Sequence, residues 1–510
     1  MRHMLDSQPR LSLVLAVILG VAAERLTWNV GLTGPALLIW LGLLIAAAYW
    51  LAHVQQALWR QQVLLWGAVA MAAATLRLWS ALPFVDAALL AVMASAAAQI
   101  LVRTAGIGFR QADIFQQLLA HTSLPFQAWT GGFTVLGGLE IRSSTKPRLF
   151  AAVLRGILIA IPLLLVFILL FYQADVTFAG YLDGLPALVS VTTLQHLLVV
   201  CLLTWLSLGL LAASWRARSP FTLPAPVMTL GSIEQAVSMG LLSLLFVVFA
   251  GLQLSHLLRN ADGIAATTGL TIAEYARHGF FELVWIAALA LAVLKALAFF
   301  SRNQKLYSGF AALLLVCVMI VLASAVQRML FYVDSFGLSI DRIVASTVMA
   351  WLTGCLVLFG CTVLRHREEG FASGVVVIGM AVCVGLALLN PAALVARVNI
   401  ERSLAEAGGA TTTLDTRYLW SLGADAVPVL LDYFSRLDSV DQCEVATLLS
   451  GEWLVADNDH LLRQSDWRRW NRAEQRAVQL TQSNAALLQA KAVADARRYV
   501  IERQPPPCSR

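Results

Sequence analysis

Long apolar segments alternate with short polar ones along most of this chain. A helix of about 20 apolar residues is long enough to cross a bilayer. The pattern predicts such segments at residues 11–23, 32–52, 62–79, 82–102, 149–172, 188–214, 234–256, 279–300, 307–326, 343–364 and 371–389. The first segment is short, and Val21-Ala22-Ala23 is typical of a signal-peptidase site, so a cleaved signal peptide is an alternative there. We therefore expect an all-α, polytopic transmembrane bundle of ten or eleven spans.

Composition agrees with a membrane protein and excludes a soluble one. The chain of 510 residues is 59% hydrophobic and 13% charged, whereas soluble domains carry about 25% charged residues. The net charge of +6 does not indicate a nucleic-acid partner, because basic residues gather in short loops between spans of any membrane protein. The seven Cys residues include no C-x-x-C pair and no zinc-like spacing. We expect no metal and no cofactor.

The Lys and Arg residues of the loops predict the orientation. Most of them fall on one side when the N-terminus is placed in the cytoplasm. Residues 1–389 then form the transmembrane domain, with a cytoplasmic loop at 103–148. Within that loop, residues 114–119 are amphipathic and predict an interfacial helix along the membrane, while glycines at 131–132 and 137–138 predict turns. Residues 390–510 form an extracytoplasmic C-terminal region.

That C-terminal region has the composition of a set of helices. Its amphipathic stretches are rich in alanine and glutamine, which favour helix formation. Cys443 and Cys508 are the two Cys residues outside the predicted spans. Since extracytoplasmic compartments are oxidising, these two residues can form a disulfide. The polar surface of this region also offers a place for a periplasmic partner.

Three charged stretches lie where predicted spans meet water, at residues 274–282, 327–334 and 337–342. The predicted topology places all three at the extracytoplasmic face. Charge beside lipid is costly, so such residues commonly serve a function. The spacing of i, i+4 puts His278 and Glu282 on one helix face, and likewise Arg328 and Tyr332. Asp341 is predicted to cap the following span.

These stretches supply the candidate ligand-binding residues. Arginines bind carboxylates and phosphates through paired hydrogen bonds, so the hypothesis is a polar pocket for an anionic or lipid-linked ligand. The structural alternative is a set of salt bridges that tie neighbouring helices. His278 with Glu282 could instead form a general acid/base pair, but no nucleophile accompanies them, which favours binding over catalysis. The candidates are Glu274, Arg277, His278, Glu282, Arg328, Tyr332, Asp341 and Arg342.

The same stretches carry a family resemblance. The motif E-Y-x-R-x-G-F-F-E-L begins at Glu274, and R-x-x-x-Y-x-x-x-x-G-L-x-x-x-R begins at Arg328. Further along, Asn390-Pro391, residues 399–402, Tyr418-Leu419 and residues 425–428 continue the pattern. Over roughly residues 150–430 the chain resembles the bacterial membrane proteins of domain-of-unknown-function families 4153 and 4173. Phe336 stands where the pattern has Tyr. The resemblance implies a bacterial inner membrane, and it brings no activity or cofactor.

Three classes of function remain open from the sequence. The favoured one is a non-enzymatic envelope protein that binds or moves an anionic or lipid-linked ligand at the outer leaflet. A membrane-embedded transferase is the second, although the first outer loop is short for a glycosyltransferase and holds only Glu24 as an acid. The third is a signalling or assembly scaffold whose C-terminal region docks a partner.

Overall fold

Helices form most of the described part of the protein, which contains no strand. The computed structural model describes residues 2–31, 33–137, 164–166, 168–169, 172–173, 190–215, 231–258, 280–406, 414–454, 466–494, 496–502 and 506–508. Most of the predicted span at 149–172 therefore lies outside the described residues, as do Glu274, Arg277 and His278. The all-α prediction is confirmed.

Eleven helices make up the bundle within these residues. They are α1 (Arg2–Thr27), α2 (Gly34–Val54), α3 (Arg60–Leu76), α4 (Pro83–Thr104), α5 (Ile114–Gly137), α6 (Val191–Trp215), α7 (Ser232–Leu257), α8 (Phe280–Phe300), α9 (Gln304–Phe336), α10 (Ile340–Cys361) and α11 (Phe371–Leu389). Eight of the described helices, namely α2, α4 and α6 to α11, are long and apolar enough to cross a membrane. Large apolar side chains remain exposed on them, for example Trp285 at 73%, as lipid-facing surfaces require.

Helix α5 differs from the prediction for the loop at 103–148. The residues from Thr130 to Gly132 were predicted to form a turn, but they lie inside a continuous helix that packs across α6. A Cβ atom on Gly131 would stand 2.8 Å from the Cα atom of Gly209, so these glycines allow the two helix backbones to approach closely. The predicted turn is therefore wrong. A glycine pair permits both a turn and a close helix crossing, and the sequence does not distinguish them.

The described residues of the C-terminal region form seven further α-helices. They are α12 (Pro391–Glu406), α13 (Thr416–Ser421), α14 (Val427–Tyr433), α15 (Ser439–Trp453), α16 (Arg472–Ser483), α17 (Ala485–Lys491) and α18 (Ala496–Ile501). Cys443 at the start of α15 and Cys508 are joined by a disulfide with an S–S distance of 2.00 Å.

These helices pack on the end of the bundle where α3 ends and α4 begins. One hydrophobic cluster joins Val85 and Leu89 of α4 to Val395 of α12 and to Trp453 of α15. Arg468 donates hydrogen bonds to the backbone oxygens of Arg25 (3.0 Å) and Trp28 (3.4 Å), at the end of α1. The C-terminal region therefore shares its core with the bundle and covers one end of it.

Candidate functional site

The turn between α9 and α10 is built around Gly337. Its φ of 77° and ψ of −173° belong to a region that only glycine adopts readily. Ser339 follows, and its Oγ accepts a hydrogen bond from the backbone N–H of Arg342 at the start of α10. The predicted cap, Asp341, instead occupies the first turn of the helix, where its charge favours the positive end of the helix dipole. Ser and Asp both favour the N-cap position. In the structure the N-cap is Ser339, two residues before Asp341.

Helix α12 holds this turn through two side chains. The Asn399 carboxamide accepts from the N–H of Leu338 and donates to its carbonyl, both at 2.8 Å. The Arg402 guanidinium donates to the carbonyls of Val333 (3.2 Å) and Ser335 (3.1 Å), which are among the last of α9. Carbonyls at a helix end lack partners within the helix and favour a positive charge. Arg402 and Asn399 thus fix α12 against the turn.

Tyr418 of α13 closes the same turn from the other side. Its hydroxyl oxygen accepts a hydrogen bond from the N–H of Ile340 at 2.9 Å. Burial raises the pKa of Tyr418, and the nearby carboxylates of Asp341 and Asp415 raise it further, while Arg342 lowers it. The phenol is therefore a stable, neutral hydroxyl facing the turn.

Arg342 occupies the centre of this arrangement. Its guanidinium lies over the ring of Tyr332, 4.2 Å from the centroid, and donates a hydrogen bond to the Gly337 carbonyl. Such a cation–π contact holds the charge in place without using its donors. The Nε atom of Arg342 is buried and has no hydrogen-bond partner in the part of the chain that the structure describes. The ring contact and the hydrogen bond to Gly337 therefore fix the position of the guanidinium.

These residues surround a polar pocket of about 430 Å³, which we call the turn pocket. Its lining comes from the α9–α10 turn, from α12 and from the segment leading into α13. Its polar and charged side chains are Ser335, Ser339, Arg342, Asn399, Arg402, Ser403, Asp415 and Tyr418. Two arginines against one carboxylate make it positive, so the pocket suits an anion.

Of the other candidate residues that the structure describes, Arg328 and Glu282 do not line the turn pocket. Arg328 is 9% exposed and donates to the Gln253 side chain of α7 at 3.4 Å; Ser324 donates to the same oxygen at 2.7 Å. Glu282 is exposed on the first turn of α8. Sequence reasoning placed Arg328, Glu282 and Arg342 in one site, and no described contact joins them. The structure does bring Tyr332 and Arg342 together. Asn399, Arg402 and Tyr418 had been noticed through the family resemblance alone.

A side-chain contact between Glu24 of α1 and His196 of α6 was missed by the sequence analysis. Glu24 is 2% exposed, and its carboxylate contacts Nδ1 of His196. The imidazole also stacks on Trp28, with the ring centroids 3.7 Å apart. Glu24 had been assigned to a loop because it stands at the end of the apolar segment. The helix continues to Thr27, which turns this acid towards α6.

Replacing Gly337 by Ala is expected to destabilise the protein by about 1–3 kcal/mol, the cost of a strained backbone position. The new Cβ would also stand 2.6 Å from Oδ1 of Asn399. Thermal unfolding in detergent measures the loss. Gly309→Ala on the same helix is the matched control, because a Cβ there meets nothing within 4 Å. Equal unfolding temperatures for the two variants would show that the turn geometry carries no strain.

The apolar helices and the polar pocket at one end of the bundle define the class, which is a multi-pass helical membrane protein. The chain belongs to a family described as a domain of unknown function, DUF4153, whose model matches residues 33–433. The turn pocket lies within that range. Comparison with curated proteins and with solved structures gave no match. No group of three or more His, Cys, Asp or Glu side chains suited to a metal ion occurs among the described residues.

Proposed function

We propose that this chain is a bacterial inner-membrane protein that binds an anionic or lipid-linked ligand in the turn pocket, at the outer leaflet. The observation that carries the proposal is the position of Arg342. Its guanidinium lines a pocket of about 430 Å³ and is held in place over Tyr332. A guanidinium fixed at a polar pocket is suited to an incoming carboxylate or phosphate.

The electrostatics of the turn pocket support an anion. Arg342 and Arg402 stand against Asp415 as the charged side chains of its lining. Helix α10 begins at the pocket and spans 22 residues, and the N-terminus of a helix carries a partial positive charge. Hydroxyl side chains such as Ser403 supply neutral hydrogen-bond donors. Together, the two arginines, the helix N-terminus and these donors favour an anionic group over a cation or an apolar molecule.

The surroundings of the turn pocket support an anion that is attached to a lipid. Phe336 lines the pocket and is 54% exposed. An anionic head group in the pocket would therefore have apolar surface beside it for its chain. A soluble anion would leave that surface unused, whereas the chain of a lipid-linked anion would make van der Waals contacts with it.

Arg342→Gln is expected to weaken binding of phosphatidylglycerol to the purified protein about tenfold or more, because a hydrogen bond to a charged group contributes about 1.5–3 kcal/mol. Phosphatidylcholine should bind weakly to both proteins. Native mass spectrometry of the full chain, titrated with each lipid in turn, gives the ratio of the affinities of the wild type and the variant directly.

The control for that measurement is Arg436→Gln, which removes an equal charge from an exposed arginine of the C-terminal region. It should leave the phosphatidylglycerol titration unchanged. If Arg342→Gln and Arg436→Gln lower binding equally, the lipid responds to net charge and the turn pocket is not the site. A variant of Arg342 that binds as the wild type does would have the same consequence.

A further inference from the structure

A second cavity lies within the membrane-spanning part of the bundle, away from the turn pocket. It is a groove of about 740 Å³ between α4, α5, α10 and α11, and we call it the α4–α11 groove. It extends along α4 from Phe84 to Ser95, a distance of about 16 Å at the rise of an α-helix. Small side chains such as Ala91 and Gly379 form part of its walls, which makes it a slot.

The α4–α11 groove is apolar and uncharged. No Asp, Glu, Lys or Arg lines it among the described residues. The Gln117 carboxamide at its edge is already paired with that of Gln99, at 2.9 and 3.1 Å. The Thr347 hydroxyl donates to the carbonyl of Ile343 at 2.7 Å. An occupant is therefore neutral, because a charge would find no counter-charge in an environment of low polarity.

His121 and Ser95 are the other polar side chains that line the α4–α11 groove, and the ring of His121 is the one whose hydrogen bonding the structure defines. Its Nδ1 lies 2.7 Å from the carbonyl oxygen of Gln117. A carbonyl oxygen only accepts, so Nδ1 carries the proton, and Nε2 of the neutral ring is then an acceptor. An acceptor beside apolar surface is stabilised by an occupant that donates a hydrogen bond. The groove thus selects a neutral molecule with one donor.

We propose that the α4–α11 groove binds a single-chain lipid alcohol, whose hydroxyl donates to Nε2 of His121 and whose chain lies between α4 and α11. The slot of small side chains suits one unbranched or isoprenoid chain better than two acyl chains or a ring. This proposal is independent of the turn pocket, since the two cavities share no lining residue.

The experiment uses the full chain in phosphatidylcholine nanodiscs with two photoactivatable probes. One is hexadecanol with a diazirine on its chain, and the other is its methyl ether, which has the same chain without a donor. The alcohol is expected to label peptides of α4 and α11 about threefold to tenfold more strongly than the ether, the ratio expected for one neutral hydrogen bond. His121→Phe should reduce the labelling by the alcohol to that by the ether.

The α7–α8 groove supplies an internal control on the same molecule. It has about 330 Å³ and is lined by apolar side chains such as Phe246 and Leu289, so both probes should label it equally in every variant. Ala91→Trp fills the α4–α11 groove from an exposed position of α4 and should abolish labelling there by both probes.

Equal labelling of the α4–α11 groove by alcohol and ether in the wild type would overturn the proposal, since the chain alone would then explain occupancy. An unchanged ratio in His121→Phe would also overturn it. A quinol or a diacylglycerol that displaces the probe more effectively than unlabelled hexadecanol would show that the occupant is of another class.

Discussion

Replacing Cys443 and Cys508 together by Ser is expected to lower the unfolding free energy of the C-terminal region by about 2–4 kcal/mol. The disulfide links residues 65 positions apart, and a cross-link of that length removes much of the conformational entropy of the unfolded chain. The closed loop contains Arg468 and Arg469, which donate to the backbone oxygens of Trp28 and Asn29 between α1 and α2. Loss of the disulfide should therefore also loosen the contact between the C-terminal region and the bundle.

Thermal unfolding and limited proteolysis of the purified protein measure that effect. Each single Ser variant should match the double variant, because either change removes the same bond. Cys361→Ser is the control, since Cys361 is exposed and free. A double variant that unfolds and resists proteolysis like the wild type would mean that the disulfide contributes nothing.

The same cysteines test the proposed sidedness. If the C-terminal region is extracytoplasmic, Cys443 and Cys508 should resist alkylation in intact cells until a reductant is added. Thiols that react without reductant would place this region in a reducing compartment and overturn the orientation inferred from the loop charges.

Among the described residues the hydrophobic pattern predicted the eight helices that are long and apolar enough to cross a membrane, because lipid imposes a simple rule on composition. The predicted total of ten or eleven spans stays a prediction. The predicted segment at 371–389 coincides with α11, Phe371–Leu389. Such a segment must be apolar over its whole length whatever its neighbours are. The pattern failed for α5, where polar residues such as Gln117 face other helices. Gln117 is paired with Gln99 inside the bundle, and a hydropathy average does not reveal such a partner.

The sequence predicted a common depth in the membrane for the candidate residues, and it did not predict their contacts. Loop charges suggested that Arg328 and Arg342 lie near one face, because both stand at helix ends. Which way each side chain points depends on the rotation of its helix. That rotation directs Arg328 towards Gln253 of α7 and Arg342 towards the α9–α10 turn. The turn is held by Asn399, which binds Leu338 although it stands 61 residues further along the chain. No local spacing of residues predicts a contact between positions so far apart.

A second large effect is expected for Asp425→Ala, about 2–4 kcal/mol of lost stability. The Asp425 carboxylate is 4% exposed. It accepts hydrogen bonds from the Ser80 hydroxyl (3.0 Å), the Ala81 N–H (2.7 Å) and the Asn390 carboxamide (3.0 Å). It therefore joins the C-terminal region to the α3–α4 turn and to the end of α11. Removing the acceptor leaves buried donors without partners, each of which costs about 1–3 kcal/mol.

Thermal unfolding in detergent measures that loss, with Asp432→Ala as the matched control. Asp432 is an exposed acid of the same region, so its removal should shift the unfolding temperature little. Equal shifts for the two variants would mean that the buried contacts of Asp425 do not hold the C-terminal region to the bundle.

The pH dependence of stability gives an independent measurement on the same carboxylate. Burial raises the pKa of Asp425 above the ordinary value of an aspartate, and the hydrogen bonds from Ala81, Ser80 and Asn390 offset part of that rise. The folded state then binds the proton more tightly than the unfolded state. The resulting stabilisation is complete below the ordinary carboxyl pKa, and it is lost as the pH rises through the folded pKa.

Asp425→Asn separates this effect from the titration of other acids, because the amide does not titrate. The stability of the wild type relative to Asp425→Asn should therefore be greatest at acidic pH and should fall as the pH is raised to neutrality. Unfolding temperatures of both proteins across that range provide the comparison. A difference that stays constant with pH would mean that Asp425 keeps its ordinary pKa in the folded protein. Water would then have to reach this carboxylate, although α4, α12 and the α3–α4 turn pack around it.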